Sequence, residues 1–147
     1  MTEIASLTRR SALLAIAGAI VARNAWATPD ATRDWLASQA KGTSKEGKIT
    51  LKAPEIAENG NAVPVTVSVE SAMTEQSYVK ALYVAADGNP NPGVITFEFT
   101  PASGKAEVQF RTRLAQTQKL VAVAEMNDGS LYMASREVKV TIGGCGG

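Results

Sequence analysis

The sequence predicts an all-β fold: an immunoglobulin-like β-sandwich of about seven strands, with a short N-terminal helix and a flexible C-terminal arm. Apolar and polar residues alternate through most of the chain after residue 47, most clearly at Val63, Val65, Val67 and Val69. Turn signals rich in Gly, Pro, Asn and Asp separate these segments at intervals of about ten residues. The length of 147 residues suits one domain, and a small barrel is the alternative architecture.

Residues 1–27 are predicted to be an export signal that is cleaved after Ala27. Arg9-Arg10 precedes an apolar run at residues 11–22, and Ala25-Trp26-Ala27 supplies a small-x-small cleavage pattern. The run is too short for a spanning helix, so no membrane anchor is predicted. The arginine pair favours the twin-arginine (Tat) route over an ordinary Sec signal, although the motif is imperfect. Both routes lead to the bacterial periplasm.

A short helix is predicted at about residues 30–40. Thr28-Pro29-Asp30 offers a capping side chain and a proline near the first helical position. Trp35, Leu36 and Ala40 then form a narrow apolar stripe, in which Trp35 is interpreted as a packing anchor. Residues 42–47 are predicted to be a polar turn.

Strands and turns make up the rest of the predicted domain, which spans residues 28–142. The strands are predicted at residues 49–51, 63–69, 78–85, 95–99, 108–113, 120–126 and 131–142. The connections are predicted as loops at residues 54–62 and 87–93, a turn at 101–104 and a hairpin turn at 127–130.

The last five residues, Gly143, Gly144, Cys145, Gly146 and Gly147, are predicted to form a flexible arm. Glycine has no side chain to bury and loses much conformational freedom on ordering, so no part of this tail is expected to pack. An extended tail would carry the sulfur roughly 15 Å beyond the last ordered residue. Cys145 is the only cysteine, which leaves either a free thiol or a disulfide to another chain.

Composition excludes several classes of function. Fifteen Lys and Arg residues balance 14 Asp and Glu residues without a basic run, so no nucleic-acid partner is predicted. The chain has no histidine, which excludes Ser-His-Asp and Cys-His catalysis and leaves too few soft ligands for a metal. Lys139 is the basic residue nearest to Cys145, so no local group activates the thiol. Cys145 is therefore expected to be acted upon, as a covalent attachment point in a protein that is not an enzyme and needs no cofactor.

Two other charged pairs are candidate sites. Arg111 and Arg113 share one strand face, where they would bind an anionic group carried by the arm or simply be solvated. Glu55 and Glu58 are interpreted as part of a solvated loop rather than as an acid-base pair.

Several segments of the chain from about residue 49 onward resemble the SoxY family of the periplasmic thiosulfate-oxidising system. They are residues 53–60, 63–65, 91–92, 97–99, 111–114, 123–126, 128–129 and 140–147. The last of these is Val-Thr-Ile-Gly-Gly-Cys-Gly-Gly, in which Cys145 matches the substrate-bearing cysteine of the family. Gly143, Gly144, Gly146 and Gly147 match its swinging arm.

This resemblance implies a sulfur carrier that pairs with SoxZ. In such systems the haem enzyme SoxAX joins thiosulfate oxidatively to the tail cysteine, SoxB hydrolyses sulfate off, and SoxCD oxidises the remaining sulfur where it is present. The resemblance thus implies transient contacts with these enzymes and no cofactor or metal in the chain itself.

Two alternatives remain open at the level of sequence. One is an immunoglobulin-like periplasmic module crosslinked into pairs through Cys145. The other is a thiocarboxylate carrier, because a terminal Gly-Gly also marks ubiquitin-like sulfur donors. Those proteins are activated in the cytoplasm, so the predicted export signal argues against the second alternative.

Overall fold

The computed structural model describes residues 27–144, which form one α-helix, nine β-strands and one short 3-10 helix. The elements are α1 (Pro29–Gln39), β1 (Ser44–Glu46), β2 (Ile49–Lys52), β3 (Ile56–Ala57), β4 (Val63–Val69), β5 (Val79–Ala86), β6 (Gly93–Glu98), the 3-10 helix (Pro101–Ser103), β7 (Ala106–Thr112), β8 (Gln118–Met126) and β9 (Leu131–Val140). The predicted all-β class is confirmed, and each of the seven predicted strands has a counterpart in the structure.

Two sheets pack face to face. The larger has the strand order β1-β9-β8-β5-β6, with β3 also paired to β9, and the smaller has the order β2-β4-β7. Pairing is antiparallel except at β1 and β3, which run parallel to β9. Fully buried side chains from both sheets fill the space between them, among them Val65 and Val67 of β4 and Leu82, Leu120 and Val138 of the larger sheet.

Helix α1 covers the outer face of the larger sheet. Its N-terminus is capped by Thr28, whose Oγ1 accepts a hydrogen bond from the Ala31 N–H at 3.2 Å. Trp35 and Leu36 pack on a small buried cluster that includes Tyr83 of β5, so the prediction of Trp35 as a packing anchor is confirmed. Because β5 is covered on both faces, its sequence is almost continuously apolar rather than alternating.

Two short strands correct the predicted connections. The predicted polar turn at residues 42–47 contains β1, in which Ser44 pairs with Leu131 of β9. The predicted loop at residues 54–62 contains β3, in which Ala57 pairs with Val140 of β9. Strands of three and two residues are too short to show a period, and their pairing with β9 is non-local, so local sequence signals could not reveal them.

The last strand is shorter than predicted. It ends at Val140, and Ile142 is 68% exposed instead of continuing the apolar face. Within residues 27–144 no helix is both long and apolar enough to cross a membrane. The predicted export signal, apart from Ala27, lies outside the described residues and stays a prediction.

Candidate functional site

The chain is held firmly where it leaves β9. The Val140 N–H donates to Thr117 Oγ1 at 2.9 Å, and the Thr141 N–H donates to the Ala57 carbonyl at 3.1 Å. Thr141 Oγ1 also donates to the Glu58 carbonyl at 3.0 Å. These bonds fasten residues 140–141, the root of the tail, to β3, to the residue after β3 and to the residue before β8, so this root belongs to the folded body.

The tail then crosses Gly60 and Leu114. The Gly60 N–H donates to the Ile142 carbonyl at 2.8 Å, and the Leu114 N–H donates to the Gly60 carbonyl at 2.8 Å. The Gly144 N–H in turn donates to the Leu114 carbonyl at 2.9 Å. Three backbone segments that are far apart in sequence therefore meet at one point, which we call the tail anchor: Gly60, Leu114, Ile142 and Gly144.

Glycine is required at the anchor because backbone atoms approach its α-carbons directly. A Cβ on Gly60 would collide with the Leu114 carbonyl oxygen and lie 2.7 Å from the Gly144 nitrogen. A Cβ on Gly143 would collide with the Ala115 carbonyl oxygen, and one on Gly144 would lie 2.7 Å from the Gly60 oxygen. Real Cβ atoms essentially never come so close, so the missing side chains are what allows this contact.

This packing corrects one sequence-based expectation. The tail was expected not to pack anywhere, yet Gly144 is buried and hydrogen-bonded, and Gly143 lies against Ala115. The physical reason is that a residue without a side chain can pack closely through its backbone. Cys145, Gly146 and Gly147 lie outside the described residues, so the covalent attachment site and the flexible end of the arm stay predictions.

A buried amide network supports the segment on which the tail rests. The Asn89 side chain donates to the Arg113 carbonyl at 2.8 Å and accepts from the Ala115 N–H at 3.0 Å. Its Oδ1 also accepts from Gln118 Nε2 at 2.8 Å, and Gln118 Oε1 accepts from the Gly88 N–H at 2.8 Å. Asn89 and Gln118 are 3% and 5% exposed, so these bonds lie in a desolvated environment. Sequence reasoning missed both residues because polar side chains in a loop and at a strand start usually face solvent.

Beside this segment lies a cleft of about 260 Å³ between the edges of β6 and β7, which we call the edge cleft. Its lining comprises Asn89, Asn91, Gly93, Val94, Ile95, Phe110, Arg111, Thr112 and Arg113. Arg111 and Arg113 are exposed, and neither guanidinium forms a hydrogen bond or ion pair with any other residue in the 27–144 range. Arg111 and Arg113 therefore line one cleft, and no carboxylate of residues 27–144 pairs with either charge.

The two glutamates of the predicted loop and one buried tyrosine bond to neighbouring parts of the fold. Glu55 and Glu58 are exposed, and their backbone carbonyls, not their carboxylates, bond to the chain around the root of the tail. Tyr83 lies under α1, where burial and then the hydrogen bond to the Glu125 carboxylate at 3.0 Å raise its pKa to about 12. No set of three or more carboxylate or thiol side chains within residues 27–144 is placed to hold a metal ion.

A second and larger cleft, of about 430 Å³, runs along α1 over the outer face of the larger sheet. Its lining includes Thr32, Leu36 and Leu131. Thr32 is 3% exposed, and its hydroxyl has no hydrogen-bond partner among the described residues. This cleft lies on the face of the sheet that α1 covers, apart from the tail anchor.

A family model described as "Sulfur oxidation protein SoxY" matches residues 33–145, which is most of the chain and includes the whole tail anchor. The chain belongs to the SoxY family. The solved structure of the sulfur carrier protein SoxY from Chlorobium limicola f thiosulfatophilum is 39% identical, with a TM-score of 0.63. That match covers 75% of this chain and 96% of that one.

More distant structures share the fold alone. The superoxide reductase (neelaredoxin) from Ignicoccus hospitalis is 24% identical with a TM-score of 0.57, over 78% of this chain and 94% of its own. A putative superoxide reductase from Thermotoga maritima is 20% identical with a TM-score of 0.56, over 65% of this chain and 87% of its own. No curated protein sequence matches the chain.

Proposed function

We propose that this SoxY-family protein carries thiosulfate-derived sulfur intermediates covalently on Cys145. The observation that carries the proposal is the tail anchor, since Gly144 is bonded to the surface of the sandwich immediately before the only cysteine of the chain. The anchor fixes the described chain up to the residue before Cys145, and the sequence has no histidine that could serve as a base for the Cys145 thiol. A thiol without its own base suits a substrate that other proteins process.

In the proposed cycle, every intermediate is carried on the sulfur atom of Cys145. The Cys145 thiolate and thiosulfate form an S–S bond and release two electrons to the haem enzyme SoxAX. Water then attacks the terminal sulfonate with the help of SoxB, so that sulfate leaves and a persulfide remains on the cysteine. Where SoxCD is present, it takes electrons from the outer persulfide sulfur while water supplies the oxygen atoms, and hydrolysis of the resulting sulfonate releases sulfate and returns the cysteine thiol. In each step the chain supplies the attachment point and its partner supplies the chemistry.

The proposal places the protein in the periplasm as a heterodimer with SoxZ, after Tat export and cleavage following Ala27. A carrier that several enzymes visit must be released each time, so we expect small, transient contacts with SoxAX, SoxB and SoxCD. A stable, more apolar interface is expected with SoxZ alone. A mature protein that stayed monomeric in the presence of SoxZ would contradict this part of the proposal.

The test is intact-mass analysis of the protein isolated from cells growing on thiosulfate. We expect species heavier by thiosulfate-derived groups in the wild type, and their complete loss in Cys145→Ser, because the chain has no second cysteine. Growth on thiosulfate should be lost in the same variant. If Cys145→Ser removed disulfide-linked pairs but left thiosulfate oxidation intact, a crosslinked structural module would replace the carrier function.

A further inference from the structure

The described part of the tail ends on Leu114, the neighbour in sequence of Arg113 in the edge cleft. Gly143 lies against Ala115, and Gly144 bonds to Leu114. As the tail advances from Gly143 to Gly144, its contact therefore moves back along the chain from Ala115 to Leu114. The residue that precedes Leu114 is Arg113, which lines the edge cleft together with Arg111. Consecutive Cα atoms are about 3.8 Å apart. Cys145 follows Gly144 directly and Arg113 precedes Leu114 directly, so each is one residue away from the hydrogen bond between Gly144 and Leu114.

Arg113 is also fixed in place more firmly than an ordinary surface arginine. The buried Asn89 side chain binds the Arg113 carbonyl at 2.8 Å and the Ala115 N–H at 3.0 Å. These two bonds hold the backbone on either side of Leu114, the residue to which the tail is anchored. The position of Arg113 relative to the tail anchor is therefore set by the folded body.

The charge in the cleft suits an anion. Arg111 and Arg113 make no ion pair in residues 27–144, so neither guanidinium is neutralised by a carboxylate of this part of the chain. A guanidinium presents paired N–H donors that match the oxygens of a planar or tetrahedral oxyanion, and it stays charged at every physiological pH. A sulfonate offers three such oxygens, whereas a plain thiol or a neutral disulfide offers none.

From this arrangement we propose that Arg113 and Arg111 form a binding site for the anionic sulfonate end of the group carried on Cys145. The inference rests on the proposed carrier function and adds a residue-level site to it. When the cysteine bears a thiosulfonate, the arginines hold that group against the edge cleft and so favour the anchored position of the tail. When the sulfonate has been removed, this contact is lost.

The site can be tested by loading the purified full-length chain chemically, without any partner enzyme. With tetrathionate, the Cys145 thiolate attacks an inner sulfur, the central S–S bond breaks, and thiosulfate leaves with the electron pair; the protein keeps a thiosulfonate. With methyl methanethiosulfonate the same cysteine gains a neutral methylthio group and methanesulfinate leaves. The two products share a disulfide bond and differ in the charge at its far end.

The first readout is the side-chain Nε–H resonances of the arginines in ¹H-¹⁵N spectra, assigned with Arg111→Gln and Arg113→Gln. We expect the Arg113 and Arg111 signals to shift on loading with the thiosulfonate and not with the methylthio group. The exposed Arg136 of β9 serves as an internal control and should not respond. Equal shifts with both adducts, or no shift with either, would overturn the proposal.

The second readout is the rate at which dithiothreitol removes each adduct. In Arg113→Gln the thiosulfonate should be removed about twofold to fivefold faster than in the wild type, the range for a partly exposed ion pair. Dithiothreitol should remove the methylthio adduct at the same rate from both proteins. In Arg136→Gln the removal rates of both adducts should match those of the wild type. If the ratio of the thiosulfonate and methylthio removal rates were the same in Arg113→Gln as in the wild type, the site would be refuted. The carrier function would stand, since it is judged separately by Cys145→Ser in cells.

Discussion

Gly60→Ala tests whether the tail is energetically coupled to the folded body. The added methyl group would collide with the Leu114 carbonyl oxygen, lie 2.7 Å from the Gly144 nitrogen and 3.0 Å from a methyl carbon of Val140. Leu114 is fully buried and held by its neighbours, whereas Gly144 is near the chain end. We therefore expect the substitution to displace the tail from the anchor and also to strain the contact with Leu114.

The magnitudes follow from the bonds at the anchor. Deleting residues 143–147 removes the bond from Gly144 to Leu114 and should lower the free energy of unfolding by about 1 kcal/mol. Gly60→Ala should cost that same amount plus about 1–3 kcal/mol for overpacking against Leu114. A bond that Gly60→Ala has already broken cannot be lost again, so the combined variant should cost no more than Gly60→Ala alone. The expected coupling is thus about 1 kcal/mol.

The measurement is urea denaturation of the four proteins, followed by far-ultraviolet circular dichroism. The wild type, Gly60→Ala, the deletion and the combined variant form a double-mutant cycle. If the two separate costs add to within about 0.5 kcal/mol in the combined variant, the tail is not coupled to Gly60 and the anchor described above is wrong.

Three further predictions concern the body of the protein. The folded-state pKa of Tyr83 is raised to about 12 from 10.0, so its stabilising effect is complete below pH 10 and is lost as the pH rises toward 12. Urea denaturation at a series of pH values should show the free energy of unfolding fall by up to about 2 kcal/mol over this range. Tyr83→Phe should lack this fall. Asn89→Ala leaves the Ala115 N–H and the Arg113 carbonyl without their Asn89 partner, while Gln118 Nε2 keeps its bond to the Gln116 carbonyl. It should therefore lower the unfolding free energy by about 3 kcal/mol, and a loss below about 1 kcal/mol would contradict the network. Thr32→Val replaces a buried hydroxyl that has no partner in the described chain, so thermal unfolding should show a neutral or stabilising effect of up to about 1 kcal/mol, and a clear destabilisation would reveal a missed partner.

The elements that could be predicted are those with a strong local signal. The alternation at residues 63–69 predicts β4, which pairs with strands on both sides and buries one face. Its two-residue hydrophobic period therefore follows directly from the alternation of buried and more exposed side chains. The helix followed from the Thr28 cap and from Pro29, which act within one turn. The hairpin turn at residues 127–130 followed from Asn-Asp-Gly, in which Gly129 adopts a positive φ of 85°.

The tail anchor could not be predicted because its signal is distributed along the chain. Asn59-Gly60-Asn61 was interpreted from local chemistry as a turn, and Asn59 Oδ1 does accept a hydrogen bond from the Asn61 N–H at 2.9 Å. Nothing in that tripeptide indicates that Gly60 must also admit the Gly144 backbone. The same holds for Asn89, whose partners lie after β7. Tertiary contact alone gives these residues their role.

The anchor also changes the expected reach of the arm. While Gly144 is bonded to Leu114, the anchored chain reaches the residue directly before Cys145. If that bond breaks, the anchored chain ends at Ile142, and two further residues add roughly 7 Å of extended chain to the reach of Cys145. One backbone hydrogen bond of about 1 kcal/mol separates the two states, so the released form should make up on the order of a tenth to a fifth of the molecules. Under the proposed function, an enzyme with a deep active site needs to supply only that small free energy to capture the longer arm. A sulfonate bound at Arg113 would raise the requirement for the loaded carrier, and removal of the sulfonate would lower it again.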